Sequence, residues 1–592
     1  MSGEKKGVRP LFWSFLLLAG CASEPRLPTQ PEAATGFRAG VQTVTATRHM
    51  AAAANPLAAE AGRQILRQGG SAVDAAIAMQ MALTLVEPQS SGLGGGAFIL
   101  HWDGKIVQAF DGRETAPREA DENLFMVAGK PMGFYEATIG GRSVGTPGVL
   151  RALYTAHRQH GRLPWAQLFA PAIALAEGGF DISPRLAALI AADPYLARDP
   201  TARAYFYDAD GSPKKNGTRL RNSELGATLR MIAQQGPDAF YRGAIAADIV
   251  TTVRAQANPG RLGTADLAEY QAKERAPVCT DYKRWRVCGM PPPSSGGIAV
   301  AQMLGLFAVR NISVVPPVDK DGTLQPQADA VHLFSEAGRL AFADRNLYVA
   351  DADFVAVNVA GLVDPPYLAQ RARSITERSM DRAQPGAPPG AALSFAPDRS
   401  PERTATSHLS VVDERGQAVS MTTTIEDAFG ARLMVRGFLL NNQLTDFSFV
   451  PSENGAPVAN RVQPGKRPRS SMAPTLVFDR ASGQLVAALG SPGGSQIIGY
   501  VAKTLVGLLD WDLDVQQAIS LPNFGSRNGA TELERGRIDP TLAGALRTRG
   551  HDVREIDMTS GLQGIVRIRL PDGWPGWAGG ADPRREGAAL GD

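Results

Sequence analysis

Apolar and polar residues alternate from His408 to Val412, the period of a strand with two unlike faces. Asp413-Glu414-Arg415-Gly416 then reads as a turn, with a return strand over 417–425. Upstream, residues 384–403 are rich in Pro, Ala, Arg and Ser and have little apolar surface to bury, so they read as a mobile linker. A strand therefore starts abruptly after a linker, with Thr406 at its head. Similar patterns predict strands at 41–47, 97–102, 106–110, 438–442, 476–479, 485–489, 536–538 and 565–568.

The helical period fits 56–66, where Asn55 is a cap, Pro56 stands in the first turn and Gly69-Gly70 makes the stop. Residues 71–85 are apolar nearly all round, as in a helix buried between layers. Further helices are expected at 147–160, 165–177, 183–192, 223–235, 241–253, 298–309 and 329–341, and Ser495 is expected to cap one over 496–509. The last twenty or so residues, 573–592, are rich in Gly, Pro, Ala and Arg and read as a tail.

With 592 residues, of which 44% are hydrophobic and 20% charged, the chain can bury a large core. A net charge of +3, with no basic stripe interleaved with aromatics, predicts no nucleic-acid partner. Residues 1–20 read as an export signal, a basic start followed by an apolar run too short to span a bilayer. Leu18-Ala19-Gly20-Cys21 resembles a lipoprotein processing box, so Cys21 is expected to be acylated. Residues 21–40 would be the tether, and the protein would face the bacterial periplasm, anchored to the outer membrane only through lipid.

Cys279 and Cys288 flank a possible hairpin turn and could pair in an oxidising compartment. The seven histidines are scattered, and no metal site or cofactor is expected. The glycines of 92–96 precede a strand and lack a following Lys-Ser/Thr, which argues against a phosphate loop.

A threonine at a strand head is ordinarily just a β-former. Were the chain cut between Ala405 and Thr406, the new α-amine, titrating near pH 8, would lie beside its own hydroxyl and could serve as its base. The surrounding motifs resemble the γ-glutamyltransferase family of self-cleaving N-terminal nucleophile hydrolases. They are Thr406-Ser407-His408, Leu440-Asn441-Asn442-Gln443 with Asp446-Phe447-Ser448, the run 464–472 containing Ser470-Ser471, Gly490-Ser491-Pro492-Gly493-Gly494, the glycines of 92–96, and Asp111-Gly112-Arg113-Glu114. The resemblance covers about 40–570, in the family's order.

It implies an α+β, four-layer αββα sandwich built jointly by two autoprocessed subunits, 41–405 (with the linker at about 376–405) and 406–592. It also implies cleavage of γ-glutamyl amides such as glutathione, with water, amino acids or dipeptides as acceptors. Thr406 would be the nucleophile, Thr424 its orienting partner, and the Gly493 and Gly494 amides the oxyanion donors. Arg113, Ser470 and Ser471 would hold the substrate α-carboxylate; Asp446, Gln443 and Glu426 would hold its α-ammonium.

Two departures stand out. Glu426 replaces the Asn of the best-known transferases, and the loop 449–469 is short and lacks their pocket-covering tyrosine. Both resemble a lid-poor branch open to bulky or polymeric donors. Rival readings are a glutaryl-cephalosporin acylase of the same fold, whose donor has no α-amino group, and a poly-γ-glutamate hydrolase or transferase.

Overall fold

The computed structural model describes residues 1–3, 36–390, 394–400, 403 and 405–592. The chain divides into Met1–Gln30 and Pro31–Asp592, and the fold below is that of the second unit. Most of the export signal, Cys21 and most of the tether lie outside the described residues.

Strand alternation builds two seven-stranded antiparallel sheets. One runs Ala588–Gly591, Met50–Ala53, Ser407–Val412, Ala418–Thr424, Gly96–Trp102, Val107–Gly112 and Lys273–Arg275. The other runs Val44–Ala46, Pro575–Ala581, Gln563–Arg569, Leu485–Gly490, Thr475–Asp479, Trp285–Gly289 and Val278–Tyr282. Successive side chains leave a strand on opposite faces. Ala51, Ala53, Leu409 and Val411 thus join one core, under Pro56–Arg67, Ala72–Val86 and Val149–His160. Met50, Ala52 and Val412 join the other, with Leu476, Leu489 and Ile565 of the facing sheet and helices Gly296–Arg310, Ala328–Tyr348 and Ile497–Leu509. The result is the αββα sandwich. Both sheets take strands from either side of Ala405, so the two parts share each core.

Local chemistry sets several boundaries. Asn55 Oδ1 accepts from Leu57 N at 2.9 Å and opens the first helix. Ser71 and Asp74 form a reciprocal capping box at 3.1 and 2.9 Å, and every residue of Ala72–Val86 is buried. The glycines after it permit close approach: a Cβ on Gly95 would stand 2.1 Å from Thr424 O. Met50–Ala53, too short and Ala-rich for its period to register in the sequence, is an interior strand, second from one edge of its sheet.

Three expectations are corrected. Residues 573–592 are not a tail: Pro575–Ala581 and Ala588–Gly591 are strands, one in each sheet, because pairing with Gln563–Arg569 and Met50–Ala53 buries small residues that carry no periodic signal. The stretch 376–405 carries no helix or strand among its described residues but is packed, not free: Ala383 N donates to Asn528 Oδ1 at 2.7 Å, and Asp398 pairs with Arg469 at 3.0 Å. Ser495 does not cap a helix; a 3-10 turn Gly494–Gln496 leads into Ile497–Leu509, and Ser495 Oγ accepts from Arg527 at 2.8 Å.

Cys279 and Cys288 face each other in the hairpin Val278–Tyr282/Trp285–Gly289, and their sulfurs are bonded at 2.06 Å. Among the described residues, no helix is long and apolar enough to cross a membrane.

Candidate active site

Thr406 enters the first sheet at the edge of a half-open cavity. Ala405, Thr406, Thr424, Glu426, Gln443, Asp446, Ser470, Ser471 and Gly494 all line it, joined by Arg403, Met472 and Ile497. Residues far apart in sequence thus converge because the two sheets stack with Thr406 at the head of one and the turn after Leu485–Gly490 at the end of the other.

Ser407 pairs with Thr423, which brings Thr424 opposite Thr406. The Thr406 hydroxyl donates to Thr424 Oγ1 at 3.2 Å, and Thr424 Oγ1 also accepts from Glu426 N at 2.9 Å. Ala405 N donates to Glu426 O at 3.0 Å, fixing the peptide just before the threonine. Gly493 and Gly494 follow with φ of 134° and 56°, values that a side chain disfavours. A Cβ on Gly493 would also meet the Tyr500 ring at 2.6 Å. This turn ends in amide groups at a helix start, where negative charge is favoured.

The polar end of the cavity is acidic. Glu426 is 4% exposed and holds a left-handed φ of 80°, a conformation Asn accepts more readily than Glu. Its Oε2 accepts from Asn442 Nδ2 and from Thr445 Oγ1, the latter at 3.4 Å. Burial, followed by the nearby Asp446 and Asp427 charges, pushes the Glu426 carboxyl well above its ordinary range. Gln443 Nε2 donates to Asp446 Oδ2 at 2.7 Å.

Arg113 does not line the cavity. Its guanidinium is buried behind Asp446, donating to Asp446 Oδ2 at 2.5 Å, Pro468 O at 3.1 Å and Arg469 O at 2.9 Å. The two charges expected at opposite ends of a zwitterion therefore contact each other here. Glu114, beside Arg113 at 3.8 Å, is fully buried, and burial raises its carboxyl to about 8 despite the arginine.

Several supporting residues were given no role by the sequence. Arg345 donates to Ser471 Oγ at 2.6 Å and to Ser295 Oγ at 2.8 Å, while Ser295 Oγ donates to Ser470 O at 2.7 Å. An arginine inside the almost wholly buried helix Ala328–Tyr348 was the available signal. Asn441, as Nδ2 donor to Gly94 O and Gly145 O at 2.7 and 2.9 Å, ties the glycine run to the acidic end.

Outside this cavity, the ligand atoms of His332, Glu336 and His551 lie within 4.8 Å of one another. Hydrogen bonds account for them: His332 Nε2 bonds Thr376 O at 2.7 Å, the two rings bond at 2.8 Å, and His551 Nδ1 bonds Thr531 Oγ1 at 2.8 Å. Glu336 accepts from Arg339 at 3.0 Å, which places a cation beside the trio. The arrangement reads as a hydrogen-bonded chain.

A gamma-glutamyltranspeptidase family profile matches residues 58–592. The glutathione hydrolase proenzyme of Escherichia coli (strain K12) is 35% identical, with 96% of each chain covered. The acylase ACY 1 proenzyme of Pseudomonas sp. (strain V22) is also 35% identical, covering 91% of this chain and 92% of its own. Among solved structures, the cephalosporin acylase from Bacillus halodurans superposes with a TM-score of 0.77 at 27% identity, covering 93% of this chain and 97% of its own.

Proposed function

The chain belongs to the gamma-glutamyltranspeptidase family, and from that premise we propose that Thr406 is both its self-cleaving residue and its nucleophile. The protein is an enzyme that cleaves γ-glutamyl bonds by hydrolysis and transfer. In the proposed mechanism Thr406 Oγ attacks the Ala405 carbonyl, and the Ala405–Thr406 C–N bond breaks to leave an ester and a free Thr406 amine. Water hydrolyses that ester, giving a large subunit ending at Ala405 and a small subunit 406–592 with the hydroxyl restored. The freed α-amine then takes the Thr406 proton as the hydroxyl attacks a γ-glutamyl amide, and passes it to the amine that leaves as the amide C–N bond breaks. The N–H groups of Gly493 and Gly494 receive the developing oxyanion, and Thr424 holds the nucleophile in line. Water or an amine resolves the acyl-enzyme.

Glutathione and its conjugates are the proposed donors. The observation that carries this is the Glu426–Asp446–Gln443 group, two carboxyl side chains and an amide in the same cavity as Thr406, suited to an α-ammonium. Ser470 and Ser471, braced by Ser295 and Arg345, suit the α-carboxylate, and Arg113 would act on it once its contact with Asp446 opens. The 35% identity to an acylase favours a second reading, a glutaryl-type acylase, against which the acidic group counts because such a donor has no ammonium to pair. A poly-γ-glutamate donor remains compatible with the short loop 449–469. Export and acylation at Cys21, with the protein in the periplasm, form part of the proposal and rest on the sequence alone.

The test is initial anilide release from γ-glutamyl and glutaryl anilides by the processed protein. Preference for the γ-glutamyl compound is expected; equal or faster glutaryl turnover moves the assignment to the acylase.

A further inference from the structure

Arg585 lies in the stretch 573–592 that sequence composition presents as a tail, yet its side chain is fully buried. Its Nη1 donates to Thr406 O at 3.2 Å, and Nε and Nη2 donate to Thr559 O at 3.3 and 3.2 Å. Thr559 O thus anchors two of the three guanidinium nitrogens and aims the third at the backbone of the nucleophile. Gly561 makes room, since a Cβ there would meet Arg585 Cδ at 2.7 Å.

The alternation of the strand explains the approach. Ser407 points to the helix side, where its Oγ meets Glu87 Oε2 at 3.4 Å. Glu87, the cap at the end of Ala72–Val86, is 1% exposed and lies 3.9 Å from Arg185. Arg185 N in turn donates to Glu586 Oε1 at 2.8 Å. Two arginines and two glutamates from three distant segments therefore meet directly behind Thr406-Ser407.

We propose that Arg585 is a positioning residue for Thr406: its guanidinium fixes the Thr406 carbonyl from behind, and its charge keeps the α-amine created by self-cleavage in the neutral, basic form. Three covalent bonds join that amine to the carbonyl oxygen, so the cation stands on the order of 5 Å away. At this range inside a protein, a positive charge disfavours protonation of an amine.

Other groups set the size of the effect. Behind the strand these are Glu87, Arg185, Glu586, Asp582 and Tyr500; in the cavity they are Glu426, Asp446 and Arg403. Glu87 opposes Arg585, and burial pushes its carboxyl up to about 7.

The inference rests on the reading of Thr406 as the processed nucleophile. Intact mass therefore comes first: an uncut natural protein would overturn that reading, separately from this one. On processed protein, kcat and KM for a γ-glutamyl anilide are then followed across the acid limb of the pH profile. Arg585→Gln should move the limb upward by about one pH unit, lower kcat about tenfold near pH 7 and recover above pH 9, with KM within about twofold. Arg585→Lys, which keeps the charge, should leave the limb near its natural position. If Arg585→Gln does not fold, Glu87→Gln carries the test by moving the limb downward. A limb that stays in place in Arg585→Gln, or in Glu87→Gln where that variant carries the test, would overturn the proposal.

Discussion

Arg113 Nη2 lies 2.5 Å from Asp446 Oδ2, so two opposite charges of the site pair with each other. Both side chains are largely buried, at 1% and 14% exposure, and a buried charge left without a partner is costly. A donor carrying a carboxylate and an ammonium can replace this internal pair with two external ones, whereas a donor carrying only the carboxylate would strand Asp446.

Asp446→Asn should therefore raise KM for a γ-glutamyl anilide by tenfold or more, about 1.4 kcal/mol, and leave a glutaryl anilide within about twofold. Steady-state kinetics on both compounds check this. Equal losses on the two would remove Asp446 from the role of ammonium reader.

Thr406→Ala should yield one uncut chain, seen by intact mass. Thr424→Val should still yield folded protein but lower kcat by about 10- to 100-fold, with little change in KM. It removes the acceptor that orients the Thr406 hydroxyl at 3.2 Å and acts on the attacking group, not on donor binding.

Arg345 reaches the cavity lining through Ser471 and, by way of Ser295, through Ser470. Arg345→Lys keeps a charge but loses the planar fork that reaches both serines. A several-fold rise in KM is expected with kcat nearly unchanged. A fall in kcat alone would assign Arg345 elsewhere.

Glu114 carries a pH prediction. Its folded-state value of about 8 lies above the ordinary 4.5, so the native state holds a proton that the unfolded chain releases between those values. Its contribution to stability is present below about pH 4.5 and is lost as pH rises toward 8. Glu114→Gln, which cannot ionise, should consequently gain stability relative to the natural protein as pH rises over that window, by at most about 1.4 kcal/mol per pH unit, read as a growing difference in Tm. Thermal melts at several pH values measure it, and a difference independent of pH would refute it.

His551 acts at the other end. Burial, then His332 and Arg339, lower it to about 4, so the native state stays neutral where the unfolded chain takes a proton. Stability should fall as pH drops from about 6.5 toward 4, and His551→Gln should flatten that part of the melting curve.

The sequence by itself determined what depends on neighbours along the chain. The capping residue Asn55, the alternation behind Thr406 and the nearly all-apolar helix at 71–85 are local demands of backbone geometry and burial, and each is legible in a few residues. Tertiary structure decided which side chains share a space. Pro575–Ala581 is mostly Gly and Ala, so nothing in its pattern announces a strand until Gln563–Arg569 and Val44–Ala46 flank it. The same holds for the charges: Arg345, Glu87 and Arg585 are 61, 319 and 179 positions from Thr406, and their partners follow from sheet stacking that no local period encodes. Arg113 and Asp446 were legible as opposite charges for one ligand. Only packing made them partners of each other, because two buried ions 333 residues apart lower their free energy by meeting.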